Sequence, residues 1–144
     1  MNELDLERLK RSIEQAEVEG GVVAPPTYFT QVPDMFSRRT DLSLKEKMLF
    51  IYLWGYGSNK NYAFPSQSRM LKELGISLPT LINTLKSLES KGGLYIVNQY
   101  KKSTNERTVN LYYICAVNPV DGSFIEDYFK AVKMLYPEKV RMIG

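Results

Sequence analysis

Histidine is absent from this 144-residue chain, and cysteine occurs once. Without imidazole, His-based acid–base catalysis and Ser-His or Cys-His nucleophiles are excluded. A lone Cys115 forms no internal disulfide and cannot build a cysteine zinc site. It stands in the apolar run Leu111-Tyr112-Tyr113-Ile114-Cys115, where a free thiol is expected in the core. Long hydrophobic runs are also missing: Met48–Trp54 falls far short of the roughly 20 residues that span a bilayer. The N-terminus is charged and has no signal-peptide core, so the expectation is a cytoplasmic protein with no membrane partner. No phosphate-cradling glycine loop occurs, because Gly55-x-Gly57 lacks both the further glycines and the lysine. Carboxylate pairs such as Glu126-Asp127 and Glu14/Glu17 fall on polar helix faces and read as solvated surface. The expectation is a non-enzyme with no cofactor and no metal.

What is present is a core-forming share of apolar residues, 44%, and an uneven charge. Residues 1–20 carry three basic and six acidic groups, residues 21–118 twelve and six, and residues 119–144 four of each. The excess of positive charge therefore lies in the middle of the chain, which favours a polyanionic partner there.

Residues 3–19 place Leu6, Leu9, Ile13 and Ala16 three and four apart, the spacing of an amphipathic helix, and Gly20-Gly21 ends it. Pro25-Pro26 and Pro33 break regular structure across 21–41, where Tyr28, Phe29, Val32, Met35 and Phe36 are candidate anchors. Asp41 or Ser43 can cap the next helix. With Ser43 as cap, Glu46 completes a capping box. Leu44, Met48, Ile51, Tyr52 and Trp54 are its candidate core residues, and Gly55 and Gly57 with Ser58 and Asn59 close it.

The most informative stretch is Phe64 to Ile96. Ser66 caps a short helix whose Met70, Leu71 and Leu74 point inward. Gly75 supplies a positive φ for a tight turn, and Ser77 caps a second helix with Pro79 in its tolerant first turn. Leu81, Leu85 and Leu88 form the buried stripe of that second helix, which Gly92-Gly93 stop. This is a helix-turn-helix pattern, in which the second helix can enter a DNA major groove. Strand-like runs at Leu94–Tyr100 and Arg107–Cys115 flank a polar loop from Lys101 to Glu106. Asn118 to Gly122 reads as a turn, Ser123–Tyr136 as a final amphipathic helix, and Pro137 as its end.

Phe64-Pro65-Ser66 followed by Leu71, Gly75-Ile76-Ser77, Thr80-Leu81, Leu85, Leu88 and Gly93-Leu94 resembles the winged-helix domain of phage and plasmid replication initiation proteins. It is also similar to the amino-terminal domain of DnaD-type primosome proteins. The upstream Tyr28-Phe29, Val32-Pro33, Leu42-Ser43 and Glu46-Lys47 fit the lead-in of those domains, so the resemblance covers roughly residues 28–115. It implies duplex DNA binding at an origin or operator, often as a dimer or higher oligomer. The DNA-facing positions it implies are Ser77, Leu78, Pro79, Thr80, Ile82, Asn83, Lys86 and Ser87, with Lys101 and Lys102 on the wing. Arg38 and Arg39 are further phosphate candidates.

This chain departs from the family at Leu78 and Ile82, where related recognition helices carry Arg or Lys. Asn83 can pair with adenine, and Thr80 or Ser87 can bond phosphates. Leu78 and Ile82 can meet thymine methyls or form a protein interface. The Gly92-Gly93 pair is one residue longer than the usual single-glycine stop.

The expected fold is α+β and mainly helical: a winged helix-turn-helix with a β-hairpin wing and extra N- and C-terminal helices. Its expected divisions are an arm at 1–20, a winged-helix domain at 21–118 and an amphipathic helix at 119–144. The terminal segment 3–19 reads either as a helix lying on the domain or as an arm docking on a second subunit. Apolar stripes on 3–19 and 123–136, outside the minimal winged helix, suggest that these segments help form a homodimer. The expected function is DNA binding in replication initiation of a phage, plasmid or other mobile element. A winged-helix transcription regulator, and a winged helix that binds replication or regulatory proteins, are the alternatives.

Overall fold

The computed structural model describes residues 3–19, 31–57 and 62–144. The expectations for Gly20-Gly21, Pro25-Pro26, Tyr28, Phe29, Ser58 and Asn59 lie outside the described residues. In chain order the elements are helices α1 (Glu3–Glu19), α2 (Asp34–Ser37) and α3 (Leu44–Tyr56), strand β1 (Tyr62–Ala63), and helices α4 (Gln67–Leu74) and α5 (Leu78–Ser90). Strands β2 (Leu94–Lys101) and β3 (Leu111–Ile114), helix α6 (Glu126–Leu135) and strand β4 (Val140–Ile143) follow. The architecture is α+β, with about half the chain helical around one small sheet. Among the described residues, no helix is long and apolar enough to cross a membrane.

The sheet has the order β1-β3-β2-β4. The β2–β3 hairpin is antiparallel, with Leu94 opposite Ile114 and Val97 opposite Leu111. Farther out Tyr100 bridges Arg107, so the returning strand holds one extra residue between its paired positions, as in a bulge. Side chains on both strands alternate between two cores. Leu94, Ile96, Tyr112 and Ile114 face the helices α3, α4 and α5. Tyr95, Val97, Leu111, Tyr113 and Cys115 face α1 and α6. The period-two alternation thus binds two helical layers to opposite faces of one sheet.

The first core explains α3. Its N-terminus carries the expected capping box: the Glu46 amide donates to Ser43 Oγ and the Ser43 amide to Glu46 Oε1. Its inward face differs from the expectation. Glu46, Leu49, Phe50 and Leu53 are buried, whereas Leu44 is 82% and Met48 54% exposed. The helix is apolar nearly all round, so periodicity did not define its inner side. Phe36, Phe50 and Phe124 pack as a cluster with centroids 5.0 to 6.0 Å apart. Phe124 therefore belongs to the helix-turn-helix core and precedes α6, where the sequence pattern placed it on the helix. Met35, a candidate anchor, is 41% exposed, while Phe36 is fully buried.

The second core corrects the reading of the terminal stripes as surfaces reserved for a second subunit. Ile13 and Ala16 of α1 are buried against Ala131 and Val132 of α6 and against the sheet. Glu17 fastens the helix: it accepts from the Tyr113 hydroxyl at 2.7 Å and the Tyr136 hydroxyl at 3.2 Å. The stripes are consumed within one chain because β2 and β3 expose an apolar second face that needs cover. Cys115 lies 2% exposed in this core, and burial pushes its thiol above the ordinary range.

Strand β4 had no counterpart in the sequence pattern. It lies parallel to β2, with Asn98 opposite Val140 and Lys101 opposite Ile143. The Lys102 amide also donates to the Ile143 carbonyl at 2.7 Å. The outer half of the hairpin is therefore braced by the chain's last strand.

Candidate nucleic-acid interface

The turn between α4 and α5 is built from local signals. The Ser66 hydroxyl accepts from the Arg69 amide and caps α4. Gly75 adopts the left-handed conformation, φ 67°, and its amide closes the helix onto the Leu71 carbonyl at 2.9 Å. Ser77 caps α5 by accepting from the Thr80 amide, and its hydroxyl donates to Thr80 Oγ1 at 2.9 Å. Pro79 sits in the first turn, where no amide donor is required.

Helix α5 buries Leu81, Thr84, Leu85 and Leu88. At about 100° per residue, the opposite side carries Pro79, Asn83, Lys86 and Ser90, all exposed. The two apolar positions divide. Leu78 is 42% exposed in the first turn, and Ile82 is half-buried on the flank. Thr80 is half-buried with its hydroxyl tied to Ser77. The outward stripe is therefore polar, with one amide and one cation.

Ser87, expected to reach a phosphate, faces inward: its hydroxyl donates to Glu46 Oε2 at 2.8 Å. Lys91, just past α5, donates to Glu46 Oε1 at 2.9 Å and to the Asp41 carbonyl at 2.7 Å. Glu46 thus joins the start of α3 to the end of α5. Burial alone would raise its pKa. The Ser43 amide, Lys91 and Ser87 outweigh that penalty and hold it at about 2. Glu89 makes a second anchor, accepting from the Ile96 amide at 2.7 Å and from Lys139. These contacts fix the angle at which α5 presents its outer stripe.

Arg39 likewise differs from its expected role. Its guanidinium pairs with Asp41, donates to the Gly122 carbonyl at 3.2 Å and stacks 4.4 Å above the Phe124 ring. Only 14% of that side chain is exposed, so it serves the fold. Arg38, its neighbour, is exposed.

Lys101 and Lys102 are exposed at the outer end of the hairpin. A tight turn places them there: the Asn105 amide donates to the Lys101 carbonyl at 2.8 Å, and Asn105 takes a positive φ of 56°. Lys101 approaches Glu106 at 3.7 Å, a weak exposed pair. The structure adds Arg107, which the sequence reading passed over. It bonds the Asn98 and Asn110 side chains and lies across the hairpin. On α4, Arg69 and Lys72 are exposed, and only the helix-turn-helix pattern itself could have singled them out.

The glycine pair after α5 has two separate tasks. Gly92 takes φ 81° with open space around its α-carbon. A β-carbon on Gly93 would stand 2.7 Å from the Phe124 ring. One glycine makes the turn and the other seats an aromatic ring.

Residues 40–94 match the family model of a helix-turn-helix domain. That span covers α3, β1, α4 and α5 and ends where β2 begins. No curated protein and no solved structure matches the chain. Over residues 40–94 the chain therefore carries a helix-turn-helix domain.

Proposed function

We propose that the chain binds duplex DNA as a winged helix, with α5 as recognition helix and the β2–β3 hairpin as wing. The observation that carries this reading is the polar outer stripe of α5: Asn83 and Lys86 stand clear of the core on the second helix of a helix-turn-helix domain. Asn83 is the base-reading side chain, because a carboxamide matches the paired donor and acceptor of adenine. Lys86, Lys101 and Lys102 supply phosphate contacts, and Ser87 and Arg39 work behind the surface. With one base-reading side chain on α5, sequence discrimination is modest and the phosphate contacts of the lysines dominate affinity.

The role we propose is origin binding in replication initiation of a mobile element. Its support is the Phe64-Pro65-Ser66 to Gly75-Ile76-Ser77 resemblance. Transcription regulation uses the same contacts. A second reading, a winged helix that binds another protein, draws on the 42% exposure of Leu78 beside Ile82.

Fluorescence anisotropy with random-sequence duplex at about 50 and 200 mM salt tests the proposal. Micromolar or tighter binding that weakens steeply with salt is expected. No binding at the lower salt would overturn it and direct the search to a protein on the Leu78/Ile82 side.

A further inference from the structure

Helix α3 buries Glu46, Leu49, Phe50 and Leu53, yet its solvent side is apolar as well. Leu44, Met48, Ile51 and Gly55 follow one another at four, three and four residues along the outward side, with Ile51 half-buried against the first core. Leu44 and Met48 are 82% and 54% exposed, the one at the stripe's end and the other near its middle. At the other end, Ile51, Tyr52, Gly55 and Tyr56 line a shallow open depression. A helix apolar on all sides is ordinarily covered on all sides.

We infer that this stripe is a homodimer interface, in which α3 of a second copy crosses it antiparallel about a two-fold axis. The spacing is self-complementary. When Met48 lies against Ile51 of the second copy, Leu44 falls over Gly55 of the second copy and fills its depression, and the reciprocal pairs form by symmetry. A large side chain meets a glycine at each end, and the two middle residues meet each other.

The charges beside the stripe choose the same orientation. Lys45 flanks its N-terminal end. On the same flank, at the C-terminal end, the Tyr52 and Tyr56 hydroxyls hold the Glu73 carboxylate. Those bonds keep Glu73 below the ordinary carboxylate range and hence an anion. In the antiparallel crossing Lys45 of each copy meets Glu73 of the other. A parallel crossing would bring Lys45 towards Lys47 of the second copy, a like-charge contact. The interface does not depend on DNA, and none of the residues named for it lies on α5.

Sedimentation equilibrium of the full chain, without DNA, is the test. The wild type is expected as a dimer at about 100 µM. Met48→Glu is expected as a monomer with an unchanged far-ultraviolet circular dichroism spectrum. Lys45→Glu turns two symmetric ion pairs into repulsions and is expected to weaken dimerisation about tenfold, and adding Glu73→Lys is expected to restore it. A wild-type monomer at that concentration would overturn the inference, leaving the stripe to another segment or another protein. So would a Met48→Glu dimer, or a double variant no tighter than Lys45→Glu alone.

Discussion

Removing the charge of Glu46 is expected to loosen the contact that joins α3 to the end of α5, with a size readable from its ionisation. The carboxylate is 7% exposed and takes bonds from the Ser43 amide, the Ser87 hydroxyl and the Lys91 ammonium. Its pKa falls from an ordinary 4.5 to about 2. At about 1.4 kcal/mol per pH unit, a depression of that size corresponds to about 3 kcal/mol of folding stability. A depressed carboxylate contributes fully above its unfolded pKa and loses that contribution as pH falls through the folded value. The window is therefore pH 4.5 down to about 2. Urea unfolding of wild type and Glu46→Gln should differ by about 3 kcal/mol at neutral pH, and more than half of that gap should vanish by about pH 3. Other carboxylates titrate in both proteins and largely cancel in the comparison. A gap below about 1 kcal/mol at neutral pH, or one that stays constant down to pH 3, would refute the reasoning.

Replacing Lys101 and Lys102 together by Ala should weaken binding on every duplex and lower the salt slope by about 1–2, measured by anisotropy at several salt concentrations. Asn83→Ala should instead relax preference at one base position in a site-selection experiment, and equal loss on all sequences would argue against base reading. Alanine at the glycines should rank by geometry in thermal unfolding. Gly122→Ala costs most, about 3 kcal/mol or more, because φ is 77° and the Met35 backbone lies 2.5 Å from the new β-carbon. Gly93→Ala costs about 1–3 kcal/mol against Phe124, and Gly92→Ala about 1 kcal/mol for its positive φ alone.

Local chemistry was legible in the sequence, and long-range partnership was not. Ser43 with Glu46, Ser66, Gly75 and Ser77 act within four residues of themselves, so spacing alone located the caps and the turn. The second role of Glu46 depends on Ser87 and Lys91, more than forty residues away. Arg39 read as a phosphate contact because Gly122 and Phe124, which engage it, lie over eighty residues downstream. Leu44 and Met48 read as core because α3 is apolar on both sides, leaving no periodicity to orient it. Strand β4 was invisible for a different reason: four residues after a proline-led turn gain strand character only from β2 beside them.

The parallel pairing of β4 with β2 also sets an order of assembly. All residues of α3, α4 and α5 leave the ribosome well before Val140, and their mutual contacts are comparatively local. The hairpin beside them acquires its last neighbour only when residues 140–143 emerge and Ile143 accepts the Lys102 amide. During synthesis the helical half can therefore form while the hairpin's outer strand still has an open edge, the species on which a chaperone or a misplaced strand would act.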